Sequence, residues 1–193
     1  MWKREFSQAE AGSLVFLDES AAKTNMTRLR GRAPRGERVH DSAPAGHWGT
    51  TTMIGSVRLD GTTACMTIEE ATDTDIFRAY VQHVLIPTLR PGDVVILDNL
   101  SPHKNSETIR LIEQAGAIVR FLPAYSPDLN PIEKMWSKVK EALRSAKART
   151  QAALDDAIAR AMASVTPADA SGWFVSCGYS IIKYALVVTT ETR

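Results

Sequence analysis

The sequence is poor in cysteine and histidine and has no long apolar run. Its 193 residues include only 2 cysteines and 4 histidines, and these form no cluster of the kind that holds zinc. Cys65 and Cys177 lie far apart in the chain, which is typical of two thiols in a reducing cytosol. No stretch approaches the roughly 20 apolar residues of a membrane span. Residues 1–5 are not followed by the apolar core of a signal peptide, so we expect a cytoplasmic protein.

The net charge is also close to zero, at +1, but the charges are segregated along the chain. Two stretches each contain six basic residues against one acid. The basic residues are Lys23, Arg28, Arg30, Arg32, Arg35 and Arg38 in the first stretch, and Lys134, Lys138, Lys140, Arg144, Lys147 and Arg149 in the second. Basic patches in a neutral chain are typical of local binding to a polyanion such as nucleic acid. Ordinary solvated surface charge is the alternative.

The apolar pattern predicts one mixed α/β domain. Short runs rich in apolar and β-branched residues predict strands at residues 14–18, 51–59, 62–68, 94–98 and 118–122. Asp60-Gly61, between the second and third of these, predicts a hairpin turn. Capping residues and helical spacing predict four helices. The first begins after Thr72 or Asp73 and ends at Pro87, and the second spans about 106–115. The third begins at Pro131, and the fourth begins after Thr150. The order predicts an antiparallel hairpin at one side of a sheet and parallel strands joined by helices at the other.

Three acidic residues stand in matching settings. Asp18 follows the apolar run at residues 14–17, and Asp98 follows the run at residues 94–97. Neighbouring parallel strands end at the same edge of a sheet, so these carboxylates are expected to face one opening. Glu133 lies in the first turn of a predicted helix, off its apolar stripe, and can enter the same opening. Three carboxylates can hold two Mg²⁺ ions, with Mn²⁺ as a substitute, and two such ions can cut and rejoin a phosphodiester.

Each acid also has a simpler interpretation. Asp18 and the Asp98-Asn99 pair can be turn residues after strands. Glu133 stands three residues after Asn130 and can complete a capping box. Glu19 is adjacent to Asp18, but neighbouring strand residues point to opposite faces, so we do not expect both to bind the same ions.

Two motifs resemble a known family. Residues 98–104 read DNLSPHK, and residues 125–133 read YSPDLNPIE, with 34 residues between Asp98 and Glu133. Together with residues 17–20 and 27–36, they resemble the catalytic domain of mariner-like transposases, and more closely their bacterial insertion-sequence branch, the DDE superfamily endonucleases. The resemblance covers roughly residues 13–145, and weakly residues 173–179.

This resemblance implies an RNase H-like fold with a five-stranded sheet, here in a catalytic domain at 13–165 between a lead at 1–12 and a tail at 166–193. It implies that Asp18, Asp98 and Glu133 are catalytic and bind two Mg²⁺ ions. It implies cut-and-paste transposition in a prokaryotic cytoplasm, associated with the nucleoid: hydrolysis at terminal inverted repeats, then attack of the freed 3′-hydroxyl on target DNA, typically at TA.

The basic stretches are expected to contact DNA. The candidate contacts are Arg28, Arg30, Arg32, Arg35, Arg38, His103, Lys104, Lys138 and Lys140. For His103 a phosphate contact, a role supporting the site, and a structural histidine with both nitrogens satisfied are all open. Trp48 can stack on a base or pack in the core or in a loop. Trp136 belongs to an apolar stripe and is expected in the core.

The chain departs from a full transposase of this kind at its start. Such proteins carry helix-turn-helix modules before the first acid, whereas about 13 residues precede Leu14 here. We expect a fragment, a second reading frame or a decayed copy, and the partners would be DNA, a second copy as a homodimer, and a separate N-terminal helix-turn-helix polypeptide. The alternative function is a non-catalytic DNA-binding or dimerising remnant. Another RNase H-like nuclease would share the metal chemistry but not the YSPDLNPIE motif.

Overall fold

The sheet has the mixed topology that the sequence predicts. The computed structural model describes residues 11–100 and 102–181. Its strands are β1 (Leu14–Lys23), β2 (Thr50–Arg58), β3 (Thr63–Ile68), β4 (Val94–Leu97) and β5 (Ile118–Phe121). They form one five-stranded sheet in the order β3-β2-β1-β4-β5. The β1–β2 and β2–β3 pairs are antiparallel, and the β1–β4 and β4–β5 pairs are parallel.

Helices connect the strands and cover the sheet. They are α1 (Thr74–Tyr80), α2 (Ser106–Gln114), α3 (Pro131–Ala146), α4 (Gln151–Ala163) and α5 (Pro167–Ser176). Asp73 caps α1 by accepting a hydrogen bond from the Ile76 amide at 2.8 Å, and Thr150 caps α4, both as predicted. The α1 segment continues past its last residue in a π turn and then a 3₁₀ turn that includes Pro87. Pro87 therefore lies inside the final turn, where its missing N–H is tolerated, rather than just beyond it.

Both faces of β1 are buried, which explains its continuous apolar run. Leu14 and Phe16 face a core built with α3, α4 and α5, while Val15 and Leu17 face a second core built with α1 and α2. All four side chains are fully buried. Helices on both faces of a sheet require strands that are apolar on both faces, as in other parallel α/β cores.

The β1 strand is longer than predicted. It runs from Leu14 to Lys23, so Asp18 lies mid-strand, opposite Gly55 of β2, and not at the strand's carboxyl end. The parallel pairing with β4 covers only Leu14 to Phe16, and the remainder of β1 continues on its antiparallel bonds to β2. The apolar run of β1 ends where burial of both faces of the strand ends. The hydrogen bonds between β1 and β2 continue beyond that point. Asp98 does follow β4 directly, so both acids still lie where the parallel part of the sheet stops.

Gly55 has a specific packing role beside Asp18. A Cβ atom at this position would lie 2.7 Å from the ring of Trp136, closer than side chains approach each other. Trp136 is buried, as predicted, and its indole packs directly against the strand backbone. Because Trp136 belongs to α3, this contact seats the helix that carries Glu133 on the strand next to Asp18.

The α5 helix falls in the segment that the sequence assigns to the tail, residues 166–193. Its Phe174 is fully buried and meets Phe16 edge-to-face, with ring centroids 5.3 Å apart. The Tyr179 hydroxyl donates to the Leu129 carbonyl at 2.7 Å. Residues 166–181 therefore pack with the sheet. Residues 1–10 and 182–193, which hold most of the lead and the end of the tail, lie outside the described residues, and the division into lead, domain and tail stays a prediction.

A long irregular arm, rich in arginine, glycine and proline, connects β1 to β2. Its base is closed by the Thr24 amide, which donates to the Gly49 carbonyl at 3.1 Å. Arg149, just before α4, donates to the carbonyls of Thr24 and Met26 at 3.0 Å. The arm is thus anchored at its root, while residues 28–50 are exposed.

Cys65 and Cys177 are both thiols. Of the helices in residues 11–100 and 102–181, none combines the length and the apolar character that crossing a membrane needs.

Candidate active site

One cavity holds the three predicted acids. Asp18, Asp98 and Glu133 all line an open cavity of about 390 Å³. They reach it from β1, from the residue after β4, and from the first turn of α3. Three segments that are distant in sequence thus present carboxylates to the same space, and their catalytic role stays a prediction.

The amphipathic pattern of α3 places Glu133 at the cavity. Ile132, Trp136 and Val139 are buried under the sheet, whereas Glu133 is exposed at the helix N-terminus. The Asn130 side chain makes no capping hydrogen bond, so the capping-box interpretation of Glu133 does not describe this helix start. Among the described residues, the buried Asn130 Oδ1 has no hydrogen-bond partner, and Asn130 lines the same cavity.

The electrostatics of Asp18 indicate a site short of positive charge. Burial away from water raises the pKa of Asp18 to about 7, and the negative charges of Glu133 and Asp98 act in the same direction. A hydrogen bond from the Glu19 amide opposes this rise only in part. The surroundings of Asp18 therefore disfavour its ionisation unless a cation joins the site.

His103 connects Asp98 to Glu19. Its Nδ1 lies 2.7 Å from Asp98 Oδ1, and its Nε2 lies 3.1 Å from both carboxylate oxygens of Glu19. The imidazole is 1% exposed and packs against the Phe77 ring, with centroids 4.4 Å apart. Since an ionised carboxylate only accepts hydrogen bonds, both ring nitrogens donate and the imidazole is cationic.

The pKa values of this bridge follow from its geometry. Burial alone would lower the pKa of His103, but the two carboxylates it faces raise it to about 9. Burial alone would raise the pKa of Asp98, but its hydrogen bonds from His103 and from the Leu100 amide lower it. Asp98 is thus held ionised, with Oδ1 accepting both of these bonds.

The sequence did not reveal this bridge. The Glu19 carboxylate contacts His103, and the expectation that Glu19 does not bind the same ions as Asp18 stays a prediction. Of the three alternatives for His103, a direct phosphate contact is not available, because both ring nitrogens face carboxylates. The available signals were Glu19 beside the first acid and His103 five residues after the second, but only the fold shows that they meet.

Lys138 is partly exposed, and its ammonium group already has partners within the chain. Its Nζ donates to the Ser164 carbonyl at 2.8 Å and pairs with the Asp169 carboxylate. The hydrogen bond from Lys138 to Asp169, together with the hydrogen bonds from Thr166, lowers the pKa of Asp169 to about 2. Lys138 therefore ties α3 to the start of α5. Lys140 is half-buried on the same helix, and Lys104 is exposed near Asp98, whose pKa its charge helps to lower.

The predicted arginine contacts all lie on the exposed arm. They are Arg28, Arg30, Arg32, Arg35 and Arg38. The arm folds back on the end of α3, where Arg28 Nε donates to Ser145 Oγ at 3.3 Å and Lys147 Nζ contacts Asp41 Oδ1 at 2.8 Å. Trp48 is half-exposed, and Nζ of Lys23, the last residue of β1, lies 5.9 Å from its ring centroid, so Trp48 is not part of the core.

The acids match a hard divalent cation in type and location but do not form a ready-made ion site. Across residues 11–100 and 102–181, no three His, Cys, Asp or Glu side chains form a cluster that could hold an ion as they stand. The cavity nevertheless offers three carboxylates and the unpartnered Asn130 Oδ1, which are oxygen donors of the kind that Mg²⁺ and Mn²⁺ prefer. The donor set therefore fits these ions, and closing the site requires the donors to approach each other.

Solved structures with a similar fold are transposases and integrases. The Mos1 transposase paired-end complex with the left transposon end matches with a TM-score of 0.68 at 15% identity, over 91% of this chain and 55% of that chain. The Mos1 strand transfer complex matches with a TM-score of 0.68 at 16% identity, over 90% and 54%. The catalytic core domain of BIV integrase matches with a TM-score of 0.54 at 14% identity, over 82% and 92%.

At these identities the likeness shows the fold, which is the RNase H-like core expected from the sequence. The chain spans about 55% of the Mos1 chain that it matches. No curated protein sequence matches it. The bacterial insertion-sequence branch stays a prediction. The family model for DDE superfamily endonucleases matches residues 13–155, which is most of the chain. The chain therefore belongs to the DDE superfamily endonucleases.

Proposed function

We propose that this chain is the catalytic domain of a DNA transposase, which cleaves and joins DNA strands by two-metal phosphoryl transfer. The observation that carries the proposal is the shared cavity of Asp18, Asp98 and Glu133. Family membership and the integrase-like fold support it independently. Two bound Mg²⁺ ions would activate the attacking oxygen and neutralise the leaving one.

The residues of this chain hold and orient the reacting groups. Asp18, Asp98 and Glu133 would hold the ions, through the carboxylate oxygens that they present to the cavity. Asp98 does not have to lose a proton before it binds a cation, because His103 and the Leu100 amide already hold it ionised and fix one of its oxygens. Phosphoryl transfer depends on positioning and charge stabilisation more than on covalent help, which suits a site made of carboxylates.

The DNA would lie along the exposed arm and past Lys104. The arm's five arginines can follow a phosphate backbone without reading its sequence. Reading the terminal repeats would fall to a separate helix-turn-helix polypeptide, and pairing of two ends to a homodimer. The lack of a ready-made three-ligand cluster among the described residues is the one observation that favours the alternative, a DNA-binding remnant without catalysis.

Nicking of supercoiled plasmid tests the proposal. The purified chain is incubated with plasmid and either Mg²⁺ or Mn²⁺, beside Asp98→Asn and the matched control Asp156→Asn, which changes an exposed aspartate of α4. We expect nicking by the chain and by the control, and a loss of at least about a hundredfold in Asp98→Asn, as for removal of a group that stabilises the transition state. Equal traces of nicking in all three proteins would favour the remnant.

A further inference from the structure

Tyr125 has a backbone conformation that L-amino acids rarely adopt. It lies between β5 and α3 with φ of 56°, in the left-handed region that favours glycine or asparagine. Its side chain is fully exposed, at 102% of the reference area. This strained backbone gains no burial of the aromatic ring in return, and such strain is concentrated at functional sites.

The loop that carries Tyr125 is anchored at both ends. The Leu122 amide donates to the Leu97 carbonyl at 2.8 Å, and the Asn99 side chain donates to the Leu122 carbonyl. At the other end the Leu129 carbonyl accepts the bond from Tyr179 at 2.7 Å. Pro123 and Pro127 further restrict the backbone between these anchors. The position of Tyr125 is therefore set by the core.

The ring stands at the rim of the acidic cavity. Tyr125 lines it together with Asp18, Asp98 and Glu133. Leu100, which is 53% exposed, lines the same cavity. Carboxylates with bound cations account for a phosphate but leave this apolar rim without a partner. A nucleotide combines the two requirements, since a flat base with an apolar face is attached to its phosphate.

We propose that Tyr125 is a stacking platform for an unpaired nucleobase next to the phosphate held at the three acids. The inference rests on the proposed function, because it needs DNA in this cavity. Base stacking on an aromatic ring is tolerant of sequence, since every base has a π-face. The ring thus fixes the strand locally without selecting a sequence.

Substitutions can separate the contribution of the aromatic ring to DNA binding from that of its hydroxyl. Tyr125→Phe keeps the stacking surface and removes the O–H, whereas Tyr125→Ala removes both. Tyr125→Asn removes the ring and places at this position a residue that tolerates the left-handed backbone, so a folding defect is not expected. Val175→Ala, at an exposed apolar residue of α5, is the matched control.

The test uses a short duplex with a 2-aminopurine in an unpaired 3′ overhang, in Ca²⁺ so that the DNA is not consumed. Stacking quenches 2-aminopurine fluorescence, and anisotropy of a second label gives the affinity. We expect quenching by the unmodified chain, Tyr125→Phe and Val175→Ala. We expect quenching to be lost in Tyr125→Ala and Tyr125→Asn, with affinity about tenfold weaker, as for other aromatic platforms.

Two outcomes would overturn the inference while leaving the proposed function intact. One is DNA that is bound and nicked but equally quenched by all Tyr125 variants. The other is Tyr125→Phe behaving like Tyr125→Ala, which would assign the effect to the hydroxyl. Failure of the unmodified chain to bind or nick DNA would instead count against the proposed function itself.

Discussion

At the scale of single residues, His103 makes the contact on which the arrangement of the acids depends most. It is buried between β1 and the segment after β4, and it donates toward a carboxylate on each side. A cation enclosed by two acids is stabilised only while both are present, and each acid in turn depends on the cation. The consequence is that a change at any of the three positions leaves a charge without its partner.

We expect His103→Ala to lower the free energy of unfolding by about 2 kcal/mol, because it leaves the carboxylate of Glu19 at 16% exposure with no donor from the imidazole. Urea unfolding at pH 7 measures this. His83→Ala, at an exposed histidine that follows α1, should change the free energy by less than about 0.5 kcal/mol. Equal effects in the two variants would show that the bridge contributes no stability.

The three acids could be proposed from the sequence because each stands at a recognisable boundary. Asp18 and Asp98 follow apolar runs, and Glu133 lies two residues after Pro131, a residue type favoured at the first position of a helix. The Glu19–His103 contact could not be proposed from the sequence, since it joins positions 84 residues apart whose side chains carry no periodic signal. The left-handed backbone at Tyr125 was equally hidden, because tyrosine is not a residue that signals it.

At the scale of elements, Arg58 and Asp93 hold the hairpin against the parallel part of the sheet. Arg58 ends β2, and Asp93 precedes β4. Both side chains are almost fully buried, at 2% and 4% exposure, and they form a two-pronged ion pair. Arg58 Nη2 also donates to the Thr88 carbonyl at 2.9 Å, which fixes the chain after α1.

This pair predicts a specific pH dependence of stability. Burial alone would raise the pKa of Asp93, but the hydrogen bond from Arg58 lowers it below its ordinary value. A carboxyl whose pKa is lowered in the folded state contributes stability above its unfolded pKa of about 3.9 and loses it as the pH falls through the folded value. We therefore expect the free energy of unfolding to fall between about pH 5 and pH 2.

The variant Asp93→Asn should flatten that acid-side decline and cost about 3 kcal/mol at pH 7, because Arg58 is left buried without a counter-charge. Asp156→Asn should keep the slope, since its side chain is exposed. Urea titrations at several pH values compare the two. An unchanged slope in Asp93→Asn would assign the acid sensitivity to other carboxyls.

Elements with a strong local pattern were predictable and the others were not. The hairpin turn at Asp60-Gly61 and the caps at Asp73 and Thr150 appear as predicted. The outer half of β1 was missed because it has no alternating pattern and exists through pairing with β2. The α5 helix was missed because its short sequence is apolar on most sides and contains Gly172, which weakens helical propensity.

At the scale of the whole molecule, the exposed arginines are separated from the carboxylates of the cavity. The cavity gathers carboxylates, while the arm between β1 and β2 carries exposed arginines and is tied to the end of α3. A polyanion held by the arm is thereby attached to the same helix that presents Glu133. Such an arrangement lets affinity come from the arm and chemistry from the cavity.

We expect DNA affinity to fall steeply as the salt concentration rises. The double variant Arg30→Ala, Arg32→Ala should reduce the slope of log K against log salt by about 2, since each phosphate contact contributes about 0.9. A double variant at Arg110 and Arg160, two exposed arginines of α2 and α4, should leave the slope unchanged. Fluorescence anisotropy across a salt series measures both. Identical slopes would show that the arm is not part of the DNA interface.

Gly55 has a consequence for how this chain can change over generations. The indole of Trp136 occupies the space that any side chain at position 55 would need. Neither position is free to vary alone, because a larger residue on the strand would displace the helix, and a smaller one on the helix would open a void. Relatives should therefore exchange the two positions jointly, and a lineage that keeps the glycine without the tryptophan would be expected to seat its third acid differently.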